Sequence, residues 1–216
     1  AASAPENLTA TVPFLSLPHI SLSWTAPVNS SCGSSYGCPK YRVEKSTDGF
    51  DWQTIKDDQI STSTDLSDLD FSWGVTYYFR VAAIDNGGTG LWAQTSVTPS
   101  TVPDEPYWVE ACRIGISDQY QISWGGNFGN PIGDGGSPIT GYLLQWEDDS
   151  SSQQALVTSS PYTITRADTG PPSVWVYSVN ANGQSSLHIY FLFSNAETCP
   201  GTEITRPGQI TGLSAV

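Results

Sequence analysis

Ile20-Ser21-Leu22-Ser23-Trp24 decides the fold, because its pattern returns one hundred residues later as Tyr120-Gln121-Ile122-Ser123-Trp124. In both runs apolar and polar side chains alternate, the period of a strand with one buried face. The echo extends outward. Pro5, Pro106 and Pro207 stand 101 residues apart, and so do Tyr41 and Tyr142, and Val43 and Leu144. Val81 and Ala83 pair with Val179 and Ala181 at an offset of 98. A near-constant offset that drifts by a few residues is the mark of one domain copied, with small changes in its loops. The 216 residues suit two domains of about 100 each.

Alternation supplies the strands. Tyr41 and Val43 face in and Arg42 and Glu44 out; Tyr77, Phe79, Val81 and Ala83 face in. In the second copy the inward sets are Tyr120, Ile122 and Trp124, then Tyr142, Leu144 and Trp146, then Trp175, Tyr177, Val179 and Ala181. Turn signals separate these runs at Asp48-Gly49, Asn86-Gly87-Gly88, Asp134-Gly135-Gly136 and Asn182-Gly183. No helical periodicity runs far enough for a substantial helix. Several short half-buried strands per hundred residues predict an all-β chain of two antiparallel, seven-stranded sandwiches.

Residues around these strands carry a resemblance. The proline-led Ala4-Pro5-Glu6-Asn7-Leu8-Thr9, the second-strand Trp24 and Trp124, and Tyr41-Arg42-Val43 are similar to the fibronectin type III domain. So are Phe71-Ser72-Trp73-Gly74-Val75-Thr76-Tyr77-Tyr78-Phe79-Arg80-Val81-Ala82-Ala83 and Asp134-Gly135-Gly136-Ser137-Pro138-Ile139-Thr140-Gly141-Tyr142. The resemblance implies domains over 1–102 and 103–203, with 204–216 the first strand of a further copy or a strand-donating tail. It places Tyr77 at the family's tyrosine corner, its hydroxyl bonded to backbone upstream. Phe71 replaces the usual Leu, and Trp175 sits where the second corner Tyr belongs, so that corner bond is absent or different. The fold is a general scaffold and says little of function.

Composition narrows the setting. Charged residues are 13%, against roughly 25% in an average soluble protein. Net charge is −13 with 8 Lys and Arg, which excludes a phosphate-binding face and hence nucleic acid. Aromatics at 12% exclude a disordered chain. No apolar run reaches the length of about 18 residues needed to span a bilayer, so no membrane insertion is expected of this segment. No signal peptide is visible, and Ala1 reads as a mature or trimmed end. Sequons at Asn7-Leu8-Thr9 and Asn29-Ser30-Ser31 make Asn7 and Asn29 candidate glycosylation sites. Together with an even number of cysteines and the lack of Met, they favour an extracellular setting.

Cys32, Cys38, Cys112 and Cys199 allow three pairings, and spacing alone does not choose among them. In a sandwich of the implied topology the first and last strands run side by side in the same direction. Cys112 ends the former and Cys199 the latter, so Cys112–Cys199 and Cys32–Cys38 are the expected bridges. Chain entropy gives about 2 kcal/mol for the short loop and about 4–5 for the long one.

Chemistry is sparse. His19 and His188 lie beside or within strand-like runs and read as structural. No nucleophile elbow, phosphate loop or paired-histidine motif is present. Asp57-Asp58, Asp65 to Asp70 and Glu147-Asp148-Asp149 follow no calcium-loop spacing and read as solvated loops. Neither a catalytic residue, a metal nor a cofactor is expected. Trp52, Trp73, Trp92 and Trp108 exceed what the cores need, and are candidates for packing at domain seams, for partner contacts or for stacking on sugars.

The joint Ser100-Thr101-Val102-Pro103-Asp104-Glu105-Pro106 holds two prolines, reads as semi-rigid, and predicts a rod of sandwiches. The tail from Arg206 to Val216 resembles another first strand, with Pro207, Ile210, Leu213 and Val216 as its pairing residues. An unpaired strand needs a sheet edge, in the continuing chain or in a neighbour. The function expected is a non-enzymatic extracellular structural or adhesive module. Its partners would be other copies, neighbouring domains or glycans. The alternatives are a spacer or glycan-binding region of a secreted polysaccharide-degrading enzyme, and a receptor ectodomain.

Overall fold

The structure, a computed structural model, describes residues 1–13, 17–30, 32, 39–67, 69–115, 118–126, 132–148, 151–166, 173–185, 189–192 and 198–200, with backbone alone at 148 and 189–192. The chain divides into two compact units. One holds Ala1–Thr101 with Gly135–Ser137, and the other holds the rest from Val102.

The first unit is a sandwich of three and four strands. β1 (Glu6–Thr11), β2 (Ser21–Thr25) and β5 (Ser63–Asp65) form one sheet in the order β1-β2-β5. The other is β4 (Gln53–Gln59), β3 (Lys40–Ser46), β6 (Tyr77–Asp85) and β7 (Gly88–Val97), in that order. Alternation along these strands sends Ile20, Leu22, Trp24, Tyr41, Val43, Phe79 and Val81 into one core with Leu66 and Phe71. Such side chains each gain about 1.5–3 kcal/mol on burial, which is what holds two thin sheets together. Trp24 meets Tyr41 edge-on, ring centres 5.3 Å apart. The Ser72 backbone N–H donates to the Tyr77 hydroxyl at 3.0 Å, closing the corner before β6.

The second unit repeats the plan. β12 (Tyr162–Thr165), β9 (Gln119–Gly125) and β8 (Trp108–Arg113) make the three-stranded sheet. β11 (Ser151–Val157), β10 (Gly141–Asp148) and β13 (Ser173–Asn180) make the other, and both β14 (Gly183–Gln184) and β15 (Ile189–Leu192) pair with β13. An isolated parallel bridge joins Arg113 and Thr198, so the last described segment, 198–200, lies beside the end of β8 and runs in the same direction. There Cys112 and Cys199 are joined by a disulfide.

One expectation fails. Trp175, Tyr177 and Val179 do not point into the second core, and Ala181 is exposed in the turn after β13. Val174 and Val176 do, fully buried, with Ser178 and Asn180 in line behind them. Register shows why. Tyr142 stands opposite Ser178, Leu144 opposite Val176 and Trp146 opposite Val174. Trp124, edge-on to Tyr142 at 5.3 Å, already fills the middle of the core with it. Small residues therefore fit across from large ones, and two more aromatics would overfill the layer. In the first unit Tyr41 pairs with Ala83 and Val43 with Val81. The true offset of this strand is thus 95 residues rather than 98, and Trp175 corresponds to Arg80 and not to the corner Tyr77. The position that does correspond to Tyr77, 172, lies outside the described residues.

Candidate functional site

The larger sheet of each unit turns its second face outward, and the two faces differ. On the first, Glu44 and Arg80 stand opposite each other on β3 and β6. Arg80 Nε donates to Glu44 Oε2 at 2.7 Å, and Thr54 Oγ1 donates to the other carboxylate oxygen at 3.2 Å. Trp52, just before β4, and Trp92 on β7 close over the guanidinium, their ring centres 4.4 and 4.3 Å from its carbon. A planar, weakly hydrated cation between two π faces is held by both rings. The stack shields Glu44 so well that the residue is only 8% exposed. Beside it Arg42 forks onto Asp57 with bonds of 3.1 and 3.0 Å. The guanidinium holds the Asp57 carboxyl below the usual range, and the carboxylate pushes Arg42 up. This face satisfies its own charges.

The second face lacks that stack. Gln145 holds the place of Glu44, Trp175 that of Arg80, and the register sets Gln154, Gln145 and Trp175 in one row across β11, β10 and β13. Ser152 and Glu147 form the row beside it, and Tyr177 stands opposite Leu143 in the row on the other side. Here a cleft of about 390 Å³ opens, lined by Gln145, Glu147, Gln154, Trp175 and Tyr177 together with Trp146, Ser152 and Gln153. Among the described residues its wall is two outward aromatics, amides and a hydroxyl, with a single carboxylate and no Lys or Arg. Such a wall can stack on a flat apolar ring face and exchange hydrogen bonds in both directions.

The other expected site residues are scattered. Trp52 and Trp92 are occupied with Arg80. Trp73 is half-buried in a turn. Trp108, 38% exposed, pairs with Gly125 and lies over it: a methyl group at Gly125 would come within 2.9 Å of the indole. Asn7 is exposed at an irregularity of β1, with φ 53°, a conformation Asn accepts more readily than most residues. Its amide donates to Thr25 Oγ1 at 3.3 Å. Asn29 is also exposed, its backbone bonded to Ser3. Cys32 is disulfide-bonded and buried, while Cys38, His188 and the tail with Pro207, Ile210, Leu213 and Val216 lie outside the described residues.

His19 proves to have a partner: its Nε2–H donates to Asp65 Oδ2 at 2.7 Å. With Ser67 also bonded to that carboxylate, Asp65 is lowered to about 2. Among the described residues no cluster of His, Cys, Asp and Glu could hold a metal ion, and no helix is long and apolar enough to cross a membrane. The aromatic and amide row of the second unit is hidden in the sequence, because side-chain size favours Trp175 and Tyr177 for the core. The signal was present in Val174 and Val176, the equally apolar alternate phase of the same strand.

Residues 3–99 match the family model of the fibronectin type III domain. Among solved structures, the chain is similar to a two-fibronectin type III domain segment from chicken tenascin, at 18% identity over 88% of this chain and 98% of that one, TM-score 0.40. It is also similar to the chicken interferon gamma receptor alpha chain, at 15% identity over 88% and 98%, TM-score 0.41. A third likeness is to the FN1–FN3 domains of chicken CNTN1, at 16% identity over 88% and 65%, TM-score 0.37. The chain is a pair of β-sandwiches of one strand order, and the first of them, over residues 3–99, is a fibronectin type III domain.

Proposed function

We propose that the chain is a non-enzymatic, extracellular structural or adhesive segment, working through contacts with other copies or neighbouring domains. The observation that carries this reading is the Cys112–Cys199 bond. It closes a loop of 87 residues and ties the first strand of the second sandwich to the short segment that runs parallel to it at Thr198. A bond of this kind persists in an oxidising compartment. It also clamps the strands at which a pulled sandwich would begin to open, which suits a segment under tension. Self-satisfied charges on the first outward face fit a scaffold better than a reaction centre. Asn7 and Asn29 are exposed, as attachment points for glycans would need to be.

In this reading Pro207, Ile210, Leu213 and Val216 add a strand to a sheet edge of the next molecule or domain, with main-chain bonds for affinity and alternate side chains for register. Negative-stain imaging of the secreted chain at rising concentration tests it, with a chain ending at residue 206 alongside. Regular fibres or chains of particles that vanish on removal of the tail are expected. Separate particles at every concentration, with or without the tail, would contradict assembly and leave the spacer reading.

A further inference from the structure

Among the described residues, the place the cleft takes on the second sandwich is filled on the first by Arg80 between Trp52 and Trp92. We infer that the cleft is a binding site for a neutral oligosaccharide, with Trp175 and Tyr177 as the stacking surface and Gln145, Gln154 and Ser152 as hydroxyl partners. The argument begins with what the duplication changed. At the register position where the first unit carries Glu44 opposite Arg80, the second carries Gln145 opposite Trp175. An ion pair roofed by two indoles is replaced by an amide and an indole around an open volume of about 390 Å³. That volume falls within the range of about 300–1,000 Å³ that small-molecule sites occupy.

The chemistry of the wall then selects the ligand class. A pyranose presents an apolar face of C–H bonds and a rim of hydroxyls, each both donor and acceptor. Aromatic faces match the first, and primary amides, which donate and accept from one group, match the second. A purely apolar ligand would strand the amides without partners, at a cost. Charge decides among saccharides. Among the described residues that line the cleft Glu147 is the one carboxylate and none is a cation, and the chain carries −13 overall. Uronic, sulfated and sialylated glycans are therefore repelled, and neutral ones are not. This site stands whether or not the chain assembles through its tail.

The test uses the whole chain and saturation-transfer NMR with tryptophan fluorescence, against neutral hexasaccharides of glucose (β-1,4 and α-1,4), xylose, mannose and N-acetylglucosamine, and against oligogalacturonate and a heparin fragment. The expected result is binding of at least one neutral sugar with Kd of about millimolar or tighter. Trp175→Ala should weaken it at least about tenfold, and Gln154→Ala should weaken it with the fold intact. Phe50→Ala, on an 86% exposed residue of the other unit, should leave it unchanged. Should Trp175→Ala fail to fold, Gln154→Ala and Tyr177→Ala carry the same reading. No binding of any neutral sugar, binding only of the acidic ones, or full affinity in both Trp175→Ala and Gln154→Ala would overturn the proposal.

Discussion

Ser178 holds in the second sandwich the place that Ala83 holds in the first: each stands across the sheet from the inward tyrosine of the third strand, Tyr142 or Tyr41. Both positions are completely buried. Ala83 leaves nothing unsatisfied there, whereas the Ser178 hydroxyl has no hydrogen-bond partner. An unpaired buried hydroxyl costs about 1–3 kcal/mol. Ser178→Ala is therefore expected to stabilise the second unit by about 1–2 kcal/mol, and Ala83→Ser to destabilise the first by a similar amount. Urea denaturation of the two variants, followed by a probe in each unit, checks both signs.

The Arg80 stack predicts a strong dependence on shape as well as charge. Arg80→Ala strips the cation from a nearly buried Glu44 and parts two indoles, and should cost about 3 kcal/mol. Arg80→Lys keeps the charge but loses the plane that both rings hold. It should recover less than half of that loss. Adding Glu44→Gln to Arg80→Ala should be milder than the two single costs combined, because the stranded carboxylate is gone. A double-mutant cycle by denaturant melts measures the coupling.

Tyr77→Phe removes the acceptor for the Ser72 N–H while keeping the ring against Phe71, 4.8 Å away and edge-on. The expected loss is about 1–2 kcal/mol, with the core otherwise unchanged. Hydrogen exchange at the Ser72 amide should accelerate by more than the global loss of stability alone would produce.

Acid should act through Asp65. Its folded-state value of about 2 lies below that of the unfolded chain, because His19 and Ser67 bond to the charged form. A depressed carboxyl stabilises the fold above its unfolded value, and the contribution fades as pH falls from about 4 towards 2. The carboxyl is open to solvent, so the effect is small and weakens with salt. Carbon-detected NMR titration should place the Asp65 carboxyl at about 2, and His19→Ala should raise it toward the ordinary range.

Much of this fold was legible beforehand, and the reasons are local. Ile20, Leu22 and Trp24 alternate with Ser21, Ser23 and Thr25, which have no claim to a core, so only one phase is available to them. The strand Ser173–Asn180 offers two apolar phases, Val174 with Val176 and Trp175 with Tyr177. Size alone favours the aromatics. What decides is volume across the sheet, where Tyr142 and Trp146 already stand, and a linear pattern does not carry that information. The cleft was invisible for the same reason. The partnership of His19 with Asp65, 46 residues apart, and the enclosure of Arg80 by Trp52 and Trp92 depend on register between strands, which spacing along the chain does not encode.

Pulling a single chain from its two ends tests the account most directly. If the Cys112–Cys199 clamp carries tension, the 87-residue loop between them stays closed after the second sandwich yields. At about 3.5 Å per residue it withholds roughly 30 nm of contour length. The account predicts that this length is missing from the force-extension record under oxidising conditions and appears when a thiol reductant is added. Equal released lengths with and without reductant would contradict it.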